Sequence, residues 1–191
     1  METKKINYTI FKYLLGMVFL IYYRPKFKNT KVIPKKGPML VCGNHIHMFD
    51  QCLPILSTKR MIHYMAKKEY FDGKTSWFFK STGCISVDRS IHDEKAKEEA
   101  LSLLKDGYAV GLFPEGTRNK TNDILLPFKY GAVSMAKKTD AYVVPFGITG
   151  KYKFWNNKLT ITFGTPFKVG DLTLEEANDK LRKEILQIIE E

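Results

Sequence analysis

The longest apolar stretch comes first. Tyr13-Leu14-Leu15-Gly16-Met17-Val18-Phe19-Leu20-Ile21-Tyr22-Tyr23 is uncharged, and an apolar pattern extends back to Ile6 through Asn7 and Lys12. Eleven helical residues cover only about 17 Å of a roughly 30 Å hydrocarbon core. Lys4 and Lys5 precede the stretch, and Arg24, Lys26 and Lys28 follow it, so charge sets no orientation. The pattern predicts a helix lying in a membrane interface rather than a clean span. Tyr22-Tyr23-Arg24-Pro25 has no small-residue cleavage site, which argues against a signal peptide.

Beyond a turn at Pro34-Lys35-Lys36-Gly37-Pro38, short apolar runs alternate with amphipathic ones. Met39–Cys42, Ile62–Ala66, Tyr108–Phe113 and Ala141–Ile148 read as buried strands, and Gly83–Arg89 as a strand ending in charge. Gln51–Leu56 reads as a short helix. Lys67–Lys80 is aromatic and basic and reads as two short helices broken at Gly73, facing either lipid or the core. From Asp93 to Asp106, Ala96, Ala100, Leu103 and Leu104 share one helical face, and Gly107 is the stop. A further helix ends at Lys137 and Lys138. Leu159–Phe163 alternates with period two, as a half-buried strand does when antiparallel or at an edge. Thr173 and Glu176 form a capping box ahead of a face of Leu174, Ala177, Leu181, Ile185 and Ile188.

Strand, helix, strand in this order predicts parallel βαβ units. The expected fold is a single α/β domain, residues 29–191, with a central, mostly parallel mixed sheet flanked by helices. Residues 1–28 form the membrane-associating helix with its basic flanks. Parallel strands would deliver His45, Arg89 and Glu115 to Arg118 to one edge of the sheet, where open α/β sheets place their chemistry.

Composition narrows the class. The chain has 191 residues, 44% of them hydrophobic, and 31 Lys and Arg against 20 Asp and Glu give a net charge of +11. Such a charge suits an anionic partner. There is no zinc-finger spacing, helix-turn-helix or RNP-type signature, so nucleic acid is not expected. The three cysteines make neither a Cys-x-x-Cys pair nor a disulfide framework, implying a reducing compartment.

The candidate chemistry lies in Gly43-Asn44-His45-Ile46-His47-Met48-Phe49-Asp50. A spacing of five separates His45 and Asp50 around a regular helix, so they meet only if the chain turns between them. A carboxylate then holds one imidazole nitrogen and leaves the other as a base. Gly116 permits close backbone approach to an anion, and Arg118 and Arg89 offer fork-shaped donors for a phosphate. Glu115 would fix an arginine or bind a substrate hydroxyl. No serine or cysteine stands at a nucleophile elbow, so the base would activate a substrate hydroxyl directly.

These segments resemble the blocks of the glycerophospholipid acyltransferase family, in order and spacing. Asn44 to Asp50 matches its N-H-x4-D block, Gly83 to Arg89 resembles its second, Phe113-Pro114-Glu115-Gly116-Thr117-Arg118 matches its F-P-E-G-T-R block, and Val143-Val144-Pro145-Phe146 resembles its fourth. His47 and Ser86 depart from the usual residues, which bears on acceptor and chain-length preference. The resemblance implies acyl transfer from acyl-CoA or acyl carrier protein to the sn-2 hydroxyl of 1-acyl-sn-glycerol-3-phosphate, giving phosphatidic acid. His45 would be the base and Asp50 its orienter. Arg89, Glu115, Gly116, Thr117, Arg118 and Lys129 would bind phosphate, and the segment of Val144 and Pro145 the acyl donor. No metal or bound cofactor is implied, and the expected location is the cytoplasmic face of the cell membrane.

Three alternatives remain beside it. One is transfer to another lyso-lipid. A second is a lipid-binding protein without catalysis. The third is a metal-dependent hydrolase built on His45, His47 and Asp50, for which His63 and His92 are the remaining imidazoles.

Overall fold

A computed structural model of the chain describes residues 2–91 and 93–191. The strands are β1 (Lys26–Lys28), β2 (Met39–Gly43), β3 (Ile62–Lys67), β4 (Ile85–Val87), β5 (Ala109–Leu112), β6 (Tyr142–Thr149) and β7 (Thr160–Phe163). The helices are α1 (Glu2–Tyr23), α2 (Cys52–Ser57), α3 (Glu69–Asp72), α4 (Ser76–Ser81), α5 (Glu94–Lys105), α6 (Gly131–Thr139) and α7 (Leu174–Glu190).

Alternation of side chains along the strands sets the layers. In β2, Met39 and Val41 pack with Phe19 of α1 and Leu53 of α2, while Leu40 and Cys42 pack with residues of α5, α6 and α7 on the opposite face. All four β2 side chains are buried, which is why the strand reads as a continuous apolar run. The result is an α/β/α sandwich around a seven-stranded sheet of order β1-β7-β6-β2-β5-β3-β4. Strands β6, β2, β5, β3 and β4 run parallel. β7 is antiparallel to β6, and β1 pairs parallel to β7 outside it.

The connections follow local chemistry. The Asp93 carboxylate accepts from the Ala96 N–H to start α5, and Gly107 at φ 81° ends it. The capping box of Thr173 and Glu176 starts α7. Gly73 separates α3 from α4, and β3 lies between β4 and β5, so their crossover spans one intervening strand. The sheet takes in β1, on the N-terminal side of residue 29. Three residues with one inward side chain, Phe27, make it the shortest kind of signal a sequence can carry.

Helix α1 has 22 residues and is, by length and composition alone, long and apolar enough to cross a membrane. One side of it packs on the domain along most of its length. The Tyr8 hydroxyl accepts from the Ile62 N–H at 3.2 Å, the Lys12 ammonium donates to the Thr58 carbonyl, Leu56 fills the space beside Gly16, and Phe19 joins the core. The other side is bare: Ile6, Ile10, Tyr13, Met17, Val18 and Ile21 are each more than half exposed.

Candidate active site

The site lies at the C-terminal edge of the three adjacent strands β6, β2 and β5. Strand β2 ends at Gly43, where the Phe146 ring comes within 2.2 Å of the position a Cβ would occupy, so no larger residue fits. Next, the Asn44 amide clamps β6: its nitrogen donates to the Ile148 carbonyl at 2.9 Å and its oxygen accepts from the Ile148 N–H at 2.7 Å. The chain then turns and returns Asp50 beneath His45.

Asp50 is fully buried and accepts from four donors. Its Oδ2 takes His45 Nδ1 at 2.8 Å and the backbone N–H groups of Ile46 and His47, each at 2.7 Å. Its Oδ1 takes the Tyr152 hydroxyl at 2.7 Å. These bonds offset the desolvation of a buried carboxylate. An ionised carboxylate only accepts, so Nδ1 carries the proton and Nε2 is left as the basic nitrogen. The His45 ring stacks on Phe113, with centroids 4.0 Å apart and planes 8° from parallel, which fixes the direction of Nε2.

Strand β5 delivers the second loop. Gly116 adopts φ 72°, where a side chain is strained. Glu115 is buried, and both its oxygens accept from backbone: Oε1 from the His45 N–H at 2.7 Å and Oε2 from the Leu126 N–H at 2.9 Å. Burial raises its pKa above the usual carboxylate value, opposed by these two N–H groups and by His45. Among the described residues no arginine pairs with these oxygens, and their two backbone bonds make Glu115 a strut between the two loops. The Asn119 N–H donates to the His45 carbonyl at 2.7 Å, which ties the His45 backbone to the β5 loop from its other side.

The expected anion-binding residues divide. The Lys129 chain runs over Gly116, with its Cε 3.0 Å from where a Cβ would stand, and its N–H donates to the Pro114 carbonyl. Thr117, Arg118 and Lys129 are exposed. The charge of Arg118 reaches His47, whose pKa is lowered first by burial and then by Arg118 and His45, against Asp50. Arg89 is exposed after β4, three strands from β2, or about 14 Å along the same edge at ~4.8 Å per strand. Val144 and Pro145 are buried within β6, opposite Val41 and Cys42, and offer no open surface to a ligand.

Tyr152 carries no sequence signal, since it is one aromatic in an aromatic and basic loop after β6. It also stacks on His47 at 4.1 Å. Cys52, near Asp50, has its thiol pushed up to about 12 by burial and by the Asp50 charge, so it is no thiolate nucleophile at neutral pH. Among the described residues no three His, Cys, Asp or Glu side chains converge as a metal site. His92 lies outside the described residues.

The profile of the family described as Acyltransferase matches residues 24–149, from the end of α1 through β6. The chain is 35% identical to the 1-acyl-sn-glycerol-3-phosphate acyltransferase of Bacillus subtilis (strain 168), over 82% of this chain and 80% of that protein. It is 30% identical to the protein of that name in Borreliella burgdorferi, over 71% of this chain and 55% of the relative. The human 1-acyl-sn-glycerol-3-phosphate acyltransferase alpha is 28% identical over 76% of this chain and 52% of its own. The chain thus spans about half the length of these last two relatives. The crystal structure of the 1-acyl-sn-glycerophosphate (LPA) acyltransferase from Thermotoga maritima superposes with a TM-score of 0.78 at 22% identity, over 95% of this chain and 78% of that one, and shares the fold. With a positioned His45–Asp50 pair and a family match running from β1 through β6, the chain belongs to the acyltransferase family.

Proposed function

We propose that the chain transfers a fatty acyl group from a thioester, acyl-CoA or acyl carrier protein, to the sn-2 hydroxyl of 1-acyl-sn-glycerol-3-phosphate, giving phosphatidic acid. The observation that carries it is the 2.8 Å bond from His45 Nδ1 to Asp50, which leaves Nε2 basic at the sheet edge beside exposed Arg118 and Lys129. The names of the relatives supply the substrate class.

In the proposed mechanism, Nε2 takes the hydroxyl proton as the hydroxyl oxygen bonds to the thioester carbonyl carbon. Asp50 stabilises the imidazolium that forms. The tetrahedral intermediate collapses, the C–S bond breaks, and the departing sulfur takes the proton back from Nε2. The thioester is already activated, so no metal or bound cofactor is required. Arg118 and Lys129 hold the acceptor phosphate, with Arg89 further along the edge. Glu115 and Asn119 keep the His45 backbone in register with that pocket.

The bare face of α1 docks on lipid, which is where the acceptor resides. A helix packed on its domain from Tyr8 to Phe19 lies in the plane of the bilayer instead of crossing it. The cytoplasmic face belongs to the same proposal, and Cys42, Cys52 and Cys84 are free thiols.

The test is acyl transfer on vesicles, from both donors, to lysophosphatidate and to a monoacylglycerol lacking phosphate. Transfer confined to the phosphate-bearing acceptor is expected. Lipid binding without transfer from either donor would favour a non-catalytic lipid-binding protein.

A further inference from the structure

Phe11 and Tyr22 stand eleven residues apart on α1. That is about three turns, so both lie along the same flank of the helix. Each carries an aromatic outrigger from elsewhere in the chain. Trp77 of α4 packs edge-on against Phe11 with centroids 5.5 Å apart. Phe154, in the loop after β6, packs on Tyr22 at 4.8 Å, and the Trp155 N–H donates to the Tyr22 carbonyl at 2.8 Å. The Arg24 guanidinium lies over the Trp155 ring at 4.9 Å.

These contacts hold the rings in place without covering them. Trp77, Phe154 and Trp155 remain 66%, 60% and 58% exposed. Trp155 also sits at φ 55°, a region disfavoured for any bulky residue, so the loop holds it outward against local strain. Large aromatics shown to solvent on both ends of one flank of a bare apolar helix mark a contact surface. Lys151 and Lys153 precede the Phe154–Trp155 pair, and Lys74 and Lys80 bracket Trp77.

We propose that Trp77 and the Phe154–Trp155 pair are two further lipid contacts, which with the bare face of α1 seat the domain flat on an anionic phospholipid bilayer. Tryptophan belongs at the level of the headgroups, where its ring meets lipid and its N–H meets water. The lysines beside each contact, in a chain of net charge +11, favour an anionic surface over a neutral one. The proposal rests on α1 docking on lipid and adds where the domain touches it. The second contact lies two and three residues beyond Tyr152, so seating it also steadies the loop that holds Asp50.

The chain has two tryptophans, so Trp77→Phe and Trp155→Phe each leave a single reporter. Each is mixed with phosphatidylglycerol vesicles whose acyl chains carry bromine at defined depths. Both reporters are expected to shift to the blue and to be quenched most by the shallow bromines, at matching depth. If α1 crossed the bilayer, the two positions, about 16 Å apart along the helix, would be quenched at different depths, and the proposal would be wrong. Protein that floats with vesicles while both tryptophans stay open to aqueous iodide would overturn the proposal and leave α1 docking intact. Protein that does not float would overturn both. A blue shift that grows with protein concentration without lipid would give the face to a second copy instead. The double variant Phe154→Ser, Trp155→Ser should keep the parent's circular dichroism and bind the vesicles about tenfold more weakly or worse; unchanged binding would overturn the proposal.

Discussion

The Tyr152 hydroxyl donates to Asp50 Oδ1 at 2.7 Å, on the carboxylate oxygen that His45 does not use. The two strands beside β2 thus each contribute one support to the pair: β5 brings Glu115 to the His45 backbone, and β6 brings Tyr152 to Asp50. Tyr152→Phe keeps the ring stacked on His47 and removes one donor from a buried carboxylate. Stability should fall by about 1–3 kcal/mol. The kcat should fall about tenfold, with KM for the acceptor little changed. Denaturant midpoints and steady-state kinetics read both, and a loss confined to KM would contradict a positioning role.

Arg118 is expected to act on binding more than on chemistry. Losing a charge-assisted bond to phosphate of roughly 1.5–3 kcal/mol raises KM for lysophosphatidate about 10- to 100-fold in Arg118→Ala. The kcat should hold, and Arg118→Lys should recover part of the loss as a point charge without the fork. An equal rise in KM for an acceptor without phosphate would remove Arg118 from that role.

Two histidines make the fold acid-sensitive. His63 is buried, its Nδ1 is 2.8 Å from the Gly83 carbonyl, and its Nε2 has no partner among the described residues. Burial lowers its pKa, as it does first for His47. The unfolded chain therefore binds protons more readily below the ordinary histidine value of about 6.5, and stability falls with falling pH. Glu115 acts in the opposite sense nearer the carboxylate range, because its raised pKa favours protonation in the folded state. Melting temperature should be level above about pH 7 and decline from about 6.5 towards 5.5. A rise over that interval would contradict the assignment.

Much of the architecture is legible in the chain because burial writes it there. Strand β2 is apolar at every position since both faces are covered, and α5 shows its apolar face of Ala96, Ala100, Leu103 and Leu104 and its Gly107 stop. The spacing of His45 and Asp50 requires a turn if the two are to meet, and it is the structure that shows them bonded at 2.8 Å. What stays hidden depends on neighbours that are distant in sequence. The separation of Arg89 from the pair comes from the insertion of β3 between β4 and β5, and strand order has no local signature. The partners of Glu115 are backbone N–H groups, which every residue but proline possesses. Tyr152 becomes significant only once β6 is known to lie beside β2, and it falls beyond the end of the family match at residue 149. The uncharged stretch of α1 marks what tolerates lipid, whereas its 22 residues follow from backbone hydrogen bonding that continues past Lys12 to Glu2.

The most direct test of the chemistry is acyl transfer to lysophosphatidate on anionic vesicles by the parent and by His45→Ala, with circular dichroism and vesicle flotation to show that both fold and bind. The parent is predicted to transfer from acyl-CoA, acyl carrier protein or both, and His45→Ala to lose about 100- to 10,000-fold of that rate while still floating with the vesicles. A folded, vesicle-bound His45→Ala protein that keeps its rate within about threefold of the parent would contradict His45 as the base.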